Sequence, residues 1–211
     1  MNGAESIVLV VDDDESFRRG LERLLRSVCL GVETFASAQE FMRRPPPESP
    51  ACVVLDIRMP GISGLELQQG LVAAGHNLPI IFLTGHATVP MSVRALKTGA
   101  IDFLQKPIED QLLLDAIHRA LEWNRQARAQ QAGHATLQRR ADTLTRRERE
   151  VFSLVVTGLA NKEIAAVLGT SEKTIKIHRG RVMQKMRASS LVHLVRLADQ
   201  LGAGVLTAKP T

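Results

Sequence analysis

The sequence predicts an α/β domain with a doubly wound sheet of five parallel strands, followed by a small all-helical domain. In the first half, five short apolar runs alternate with segments of helical periodicity, which is typical of βαβ units. Four apolar-periodic segments without strand signals follow in the second half. The charge also divides the chain, since residues 1–123 carry a net −5 and residues 124–211 a net +10. Such asymmetry indicates an acidic module joined to one that binds a polyanion.

The strands and helices of the first domain follow from these patterns. The predicted strands are Ile7–Val11, Val32–Phe35, Cys52–Leu55, Pro79–Leu83 and Ile101–Leu104. The predicted helices are Ser16–Val28, Ser63–Ala74, Thr88–Thr98 and a last helix that begins near Glu109. Arg43–Pro50 contains four prolines and is predicted to be a loop.

After Glu122 the composition shifts to Arg, Gln and Ala. Residues 124–140 are predicted to be a linker, either irregular or continuing the preceding helix. The helices expected beyond it are Thr145–Thr157, Asn161–Leu168, Ser171–Met186 and Ser189–Leu201. Thr145 and Ser171 occupy N-cap positions, whereas Gly158 and Gly169 stand where helices end. We therefore expect domains at residues 5–123 and 141–205.

Composition excludes several classes of protein. No apolar run approaches the ~20 residues of a membrane span, and Ile7–Val11 is too short for a secretion signal. Cys29 and Cys52 cannot form a disulfide scaffold. Six Phe, one Trp and no Tyr are too few aromatic residues for a base-stacking platform. We expect a cytoplasmic protein without a membrane partner.

Polar residues stand at the carboxyl ends of four predicted strands. These residues are Asp12, Asp13, Asp56, Thr84 and Lys106. Each alone could be an ordinary turn or surface residue, but in a doubly wound sheet these strand ends meet in one crevice. Three carboxylates without His or Cys favour Mg²⁺, and a lysine with a hydroxyl suits a tetrahedral oxyanion. An aspartate beside the ion can accept a phosphoryl group.

The motifs around these residues resemble the receiver domain of two-component response regulators, a flavodoxin-like fold. The matching segments are residues 10–15 (VVDDDE), 55–61 (LDIRMPG), 84–86 (TGH) and 103–107 (FLQKP).

The receiver resemblance implies a role for each matching residue. Asp56 would be the phosphorylated residue; Asp13 and Asp56 would bind Mg²⁺ directly, and Asp12 would bind it through water. The backbone carbonyl of Arg58 would complete the protein ligands. Thr84 would hydrogen-bond the phosphoryl group and Lys106 would pair with it, while Thr84 and Phe103 would form the switch. Phe103 could instead be a static core residue. The Lys106–Pro107 bond is expected to be cis.

The segment Ser171–Met186 predicts a basic, amphipathic helix. Ile175, Val182 and Met186 lie on one face, and the other faces carry Lys173, Lys176, Arg179, Arg181 and Lys185. A short helix and the Gly169 turn precede it, which is the form of a helix-turn-helix. The alternative is a solvated charged face on an ordinary bundle helix.

Residues 144–151 (LTRREREV), 158–165 (GLANKEIA) and 174–178 (TIKIH) resemble the LuxR-type helix-turn-helix. With residues 89–95 (VPMSVRA) and 178–183 (HRGRVM), the whole chain resembles a FixJ-type regulator. By position, Lys176 and Ile177 are the first candidates for base contacts, and Arg179 and Arg181 the next. The candidates for phosphate contacts are Lys162, Lys173 and Thr174. Glu148 and Glu150 are expected to form pairs within the domain, and His178 to pack in its helix.

The resemblance implies a phosphorylation-switched transcription factor. Its partners would be a sensor histidine kinase, double-stranded promoter DNA, RNA polymerase and a second copy of the chain, which would dimerise on phosphorylation. It would not be an enzyme beyond catalysing its own phosphoryl transfer and dephosphorylation. A phosphoryl sink or protein adaptor is the alternative from another class, and a third hypothesis is DNA binding that does not depend on phosphate.

Overall fold

The computed structural model describes residues 6–85 and 87–202. Residue 5 and residues 203–205 of the expected domains, and His86 of the 84–86 motif, lie outside the described residues. The chain forms two compact units that divide between Arg128 and Ala129, and each is described separately.

The first unit contains a five-stranded parallel sheet in the order β2-β1-β3-β4-β5. The strands are β1 (Ile7–Val11), β2 (Gly31–Phe35), β3 (Ala51–Leu55), β4 (Ile80–Thr84) and β5 (Asp102–Gln105). The predicted doubly wound sheet is confirmed, and its strand order is that of flavodoxin-like folds. Strand order reverses between β1 and β3, so the polar residues that follow these strands adjoin the crevice where ligands bind in such sheets.

Helices cover both faces of this sheet because successive residues of a strand point to opposite sides. The helices that begin in the first unit are α1 (Glu15–Ser27), α2 (Ala38–Met42), α3 (Gly64–Ala73), α4 (Val89–Lys97) and α5 (Asp110–Asp142), and α5 continues past Arg128 into the second unit. Val8 and Val10 pack in a cluster with residues of α1 and α5. Leu9 and Val11 pack in a second cluster with residues of α2, α3 and α4.

The sequence patterns left two segments of the chain undecided. Helix α2 was not predicted, because its five residues are too few to show periodicity. Helix α5 continues through residues 124–140, with Gly133 inside it, so the helical alternative for this segment is the one observed. Residues 43–50 contain neither helix nor strand, as predicted.

The second unit contains α6 (Arg146–Val156), α7 (Asn161–Val167), α8 (Glu172–Met186) and α9 (Leu191–Gln200). The side chains of Thr145 and Ser171 accept hydrogen bonds from backbone amides at the starts of α6 and α8, as predicted. Gly158 and Gly169 have φ of 91° and 60° and lie just after α6 and α7, where left-handed backbone favours glycine. The all-helical domain is therefore confirmed.

Candidate phosphoryl-transfer and nucleic-acid sites

The first unit contains a cluster of three aspartates beyond the ends of β1 and β3. One carboxylate oxygen from each of Asp12, Asp13 and Asp56 lies within 4.8 Å of the other two. This is the only such group of potential metal ligands in residues 6–85 and 87–202. Asp12 is 2% exposed and Asp56 is 9% exposed, whereas Asp13 is open to solvent. The cluster can hold a hard cation and keeps one exposed side from which a ligand can approach.

Lys106 brings a positive charge to this cluster. Its Nζ lies 2.5 Å from Asp12 Oδ2 and 3.3 Å from Asp56 Oδ2. The Lys106 amide donates to the carbonyl of Thr84, at 2.9 Å, which ties the end of β5 to the end of β4. Burial raises the pKa of the Asp12 carboxyl, and the hydrogen bond from Lys106 opposes that rise. The Lys106–Pro107 bond is cis, as expected.

Backbone contacts hold the aspartates in place. The amide of Asp14 donates to Asp12 Oδ1 at 2.9 Å, and the Arg18 guanidinium donates to the carbonyl of Asp12 at 2.6 Å. The amide of Arg58 donates to Asp56 Oδ1 at 3.2 Å. Arg58 therefore lies beside the cluster, and the role of its carbonyl as a metal ligand remains a prediction.

The predicted switch residues lie on β4 and β5. Thr84 is the last residue of β4 and is 1% exposed. Phe103 lies on β5, half-buried, and its ring centroid is 6.2 Å from that of Phe82. Phe103 thus contacts the core without being fully enclosed by it, and its switching role remains a prediction.

Two structural features beside the site were not predicted from the sequence. A Cβ at Gly64 would lie 2.2 Å from the carbonyl oxygen of Asp56, so only glycine fits where α3 begins. The Phe17 ring lies against Lys106, with 3.8 Å between Nζ and the ring centroid. Phe17 lies within the predicted helix Ser16–Val28, and nothing in its spacing pointed to Lys106.

The residues predicted to contact nucleic acid lie on α7 and α8. Lys162, Lys173, Lys176, Ile177 and Arg181 are exposed. Ile177 is 50% exposed although it is large and apolar, so its side chain is available for contact. Thr174 and Arg179 are half-buried: Thr174 pairs with the Ser171 hydroxyl, and Arg179 donates to Asn161 Oδ1 at 2.9 Å. Arg179 therefore also links α8 to α7.

The sequence pattern placed Lys185 with the other basic residues outside the apolar face of α8, but in the structure it pairs with a buried carboxylate of α6. Lys185 Nζ lies 2.6 Å from Glu148 Oε2, and Glu148 is 2% exposed. This hydrogen bond holds the pKa of the Glu148 carboxyl below its usual range. Glu150 accepts from Arg147 at 2.8 Å. His178 is half-buried, and its Nδ1 is enclosed without a hydrogen-bond partner in the described structure.

In the described part of the chain, no helix is both long enough and apolar enough to cross a membrane. Both described cysteines, Cys29 and Cys52, are free.

Comparison with known proteins finds two family matches along the chain. Residues 8–118 match the response regulator receiver domain, and residues 142–198 match the luxR family of bacterial regulatory proteins. The chain is 50% identical over 198 residues to nodulation protein W of Bradyrhizobium diazoefficiens, covering 94% of this chain and 87% of that protein. It is 43% identical over 201 residues to the transcriptional regulatory protein FixJ of Azorhizobium caulinodans, covering 95% and 94%.

Among solved structures, the response regulator StyR is similar over 93% of this chain and 100% of that chain, with a TM-score of 0.86 and 48% identity. The receiver match, the luxR-family match and the relatives, which are matched over most of their length, agree with the two folds. The chain therefore belongs to the two-component response regulators of the FixJ type, in which a receiver domain is joined to a LuxR-type DNA-binding domain.

Proposed function

We propose that this response regulator controls transcription by binding promoter DNA, and that a partner histidine kinase switches it by phosphorylating Asp56. The observation that carries the proposal is the arrangement at the end of β3. The Asp56 carboxylate lies beside two further aspartates and within 3.3 Å of the Lys106 ammonium. A nucleophilic carboxylate, a metal-binding set and a cation for the transferred oxyanion are thus together.

The donor set fits Mg²⁺, because all three side chains offer carboxylate oxygens and none offers nitrogen or sulfur. Asp13 and Asp56 would bind the ion directly, Asp12 through water, and the Arg58 carbonyl would complete the set. Bound Mg²⁺ reduces the repulsion between a carboxylate nucleophile and phosphoryl oxygens.

In the proposed transfer, an Asp56 carboxylate oxygen attacks the phosphorus, and the bond from phosphorus to the kinase histidine nitrogen breaks. The product is an acyl phosphate on Asp56, and a later attack by water returns the carboxylate and inorganic phosphate. Lys106 pairs with a phosphoryl oxygen in place of one of its two aspartate contacts. The Thr84 hydroxyl donates to another phosphoryl oxygen, which requires the loop after β4 to move inward.

The signal would pass from Thr84 to Phe103 and to the surface of α4 and β5. Inward movement of the loop vacates space into which the half-buried Phe103 ring can rotate. Val89, Val93 and Leu96 lie at helical spacing on α4 and are 76%, 44% and 48% exposed. These apolar side chains support a dimer interface on the α4–β5 surface after phosphorylation.

The dimer would place two helix-turn-helix domains on a pseudo-palindromic promoter. Lys176 and Ile177 would contact base edges in the major groove, followed by Arg179 and Arg181. Lys162, Lys173 and Thr174 would contact phosphates and set the position of α8. Dimerisation couples two weak half-sites, and a tenfold gain in affinity needs only about 1.4 kcal/mol. RNA polymerase at the promoter would receive the signal.

The intact mass of the protein tests the phosphoryl acceptor directly. The full chain is incubated with Mg²⁺ and acetyl phosphate, beside an Asp56→Asn variant. We expect one phosphoryl adduct on the wild type and none on the variant. A wild-type protein that takes up no phosphoryl group, or a variant that still does, would overturn the assignment of Asp56.

Substitutions on α8 test the DNA contacts. A binding site is first selected from random DNA with the phosphorylated protein. Lys176→Ala and Ile177→Ala should change the base preference, whereas Lys162→Ala should weaken binding about equally across sequences. Arg146→Ala is the matched control, since this α6 side chain is 96% exposed and outside α7 and α8. Unchanged binding and preference in all three variants would contradict the assigned surface.

A further inference from the structure

Phe17 contacts the same ammonium group as the two buried aspartates. It is the third residue of α1, is half-buried, and packs against the apolar cluster that contains Val8 and Val10. The Lys106 Nζ lies 3.8 Å from its ring centroid, a distance at which the negative face of an aromatic ring attracts a cation. The ammonium is thus contacted by two carboxylates and by one uncharged ring.

We propose that Phe17 is a positioning residue for phosphoryl transfer, and that its ring holds the Lys106 ammonium ready for the incoming phosphoryl oxygens. This inference rests on the proposed function. The Lys106 ammonium is carried by a flexible four-carbon side chain, and it must stay at the site when one of its two aspartate contacts is exchanged for a phosphoryl oxygen. The Phe17 ring restrains it there from a fixed helix.

The ring is suited to this task because it attracts the ammonium without adding charge. A carboxylate in its place would hold Lys106 more strongly and would repel the phosphoryl oxygens. An aliphatic side chain would give packing without electrostatic attraction. The aromatic ring therefore leaves Lys106 able to exchange an aspartate partner for the phosphoryl group.

The first test compares an aliphatic and an aromatic replacement. With acetyl phosphate and Mg²⁺, we expect Phe17→Leu to lower the second-order rate constant for phosphorylation about threefold to tenfold, which corresponds to about 0.7–1.4 kcal/mol. Phe17→Tyr keeps the ring and should stay within about twofold of the wild type. If Phe17→Leu and Phe17→Tyr show the same rate, the ring contributes only packing and the inference is wrong.

A double-mutant cycle tests whether Phe17 acts through Lys106. In a Lys106→Gln background the cation is absent, so Phe17→Leu should cause no further loss of rate. An equal fold-loss in both backgrounds would show that Phe17 acts through some other contact, which would overturn the inference.

Stepwise fluorination of the Phe17 ring gives a test that does not depend on the stability of Phe17→Leu. Added fluorines weaken the negative face of the ring and change its shape little. The rate should fall progressively with fluorine number, and a flat series would overturn the inference. A wild-type protein that accepts no phosphoryl group defeats the proposed function itself. If the wild type is phosphorylated but the rate does not change with fluorine number, only the proposed role of Phe17 is wrong.

Discussion

The Glu148–Lys185 pair lies inside the helical unit and should be essential to its stability. Lys185 Nζ also donates to the carbonyl of Thr143 at 2.9 Å, so one side chain connects α8 to the turn before α6 and to α6 itself. Replacing Lys185 with Met keeps most of the length of the side chain but removes its charge. The Glu148 carboxylate, 2% exposed, would then be buried without its cation.

The size of the effect follows from what Glu148 loses and what it keeps. Removing one partner of a buried ion pair costs about 3–5 kcal/mol. The cost here should be lower, because the Lys185 side chain is 33% exposed and the Thr145 amide still donates to Glu148 at 2.9 Å. We expect Lys185→Met to lower the free energy of unfolding of the helical unit by about 2–3 kcal/mol.

Amide hydrogen exchange of the full chain measures this loss where it occurs. In α6 and α8 the slowest amides should exchange about 30-fold to 150-fold faster, at about 1.4 kcal/mol per factor of ten. Arg146→Met is the matched control, because the Arg146 side chain, which pairs with Glu150, is 96% exposed. It should change exchange by about twofold or less. Equal effects from the two variants would refute the reasoning.

The same pair predicts a pH dependence. The hydrogen bond from Lys185 holds the pKa of the Glu148 carboxyl below its usual 4.5, so folded Glu148 gives up its proton more readily than unfolded Glu148. This stabilisation is present above about pH 4.5 and is lost as pH falls through the folded pKa. The stability difference between wild type and Lys185→Met should therefore shrink as the pH falls from neutral to acid. A constant difference would contradict this account.

Three further substitutions and one control substitution test the packing of the fold by thermal unfolding of the full chain. Gly64→Ala should destabilise the protein by about 1–3 kcal/mol and slow phosphorylation, because its Cβ would lie 2.2 Å from the Asp56 carbonyl; Gly70→Ala, on the same helix with nothing within 4 Å, should not. Gly180→Ala should stabilise the helical unit by about 0.5–1 kcal/mol, since its Cβ also meets nothing within 4 Å. Asn124→Ala should cost about 2–3 kcal/mol, because it removes hydrogen bonds to the Ala51 amide and the Asn77 carbonyl. If Gly64→Ala, Gly180→Ala and Asn124→Ala all unfold at the wild-type temperature, these assignments are contradicted.

The strands β1, β3 and β4 were predictable because parallel strands covered on both faces are nearly continuous apolar runs. The polar residues directly after those runs could be placed together, since the carboxyl ends of neighbouring parallel strands meet at one edge of the sheet. This reasoning predicted that Asp12, Asp56 and Lys106 lie close together, and in the structure the Lys106 ammonium contacts both carboxylates.

The remaining features depend on contacts between residues distant in sequence. Asn124 stood at the start of the predicted linker, yet it is 3% exposed and hydrogen-bonds to β3 and to the loop before β4. Lys185 has the same charge and helical spacing as exposed cations of α8, and only the position of Glu148 on α6 distinguishes it. Phe17 and Gly64 likewise acquire their roles from Lys106 and Asp56, which lie far along the chain or across a turn.

The central claim is that phosphorylation of Asp56 controls DNA binding. The most direct test measures the affinity of the full chain for its selected DNA, with and without acetyl phosphate and at one salt concentration, beside Asp56→Asn. We predict that phosphorylation tightens wild-type binding about tenfold or more, equivalent to about 1.4 kcal/mol, and leaves Asp56→Asn unchanged. Wild-type affinity that does not respond, or an equal response in Asp56→Asn, would contradict the account.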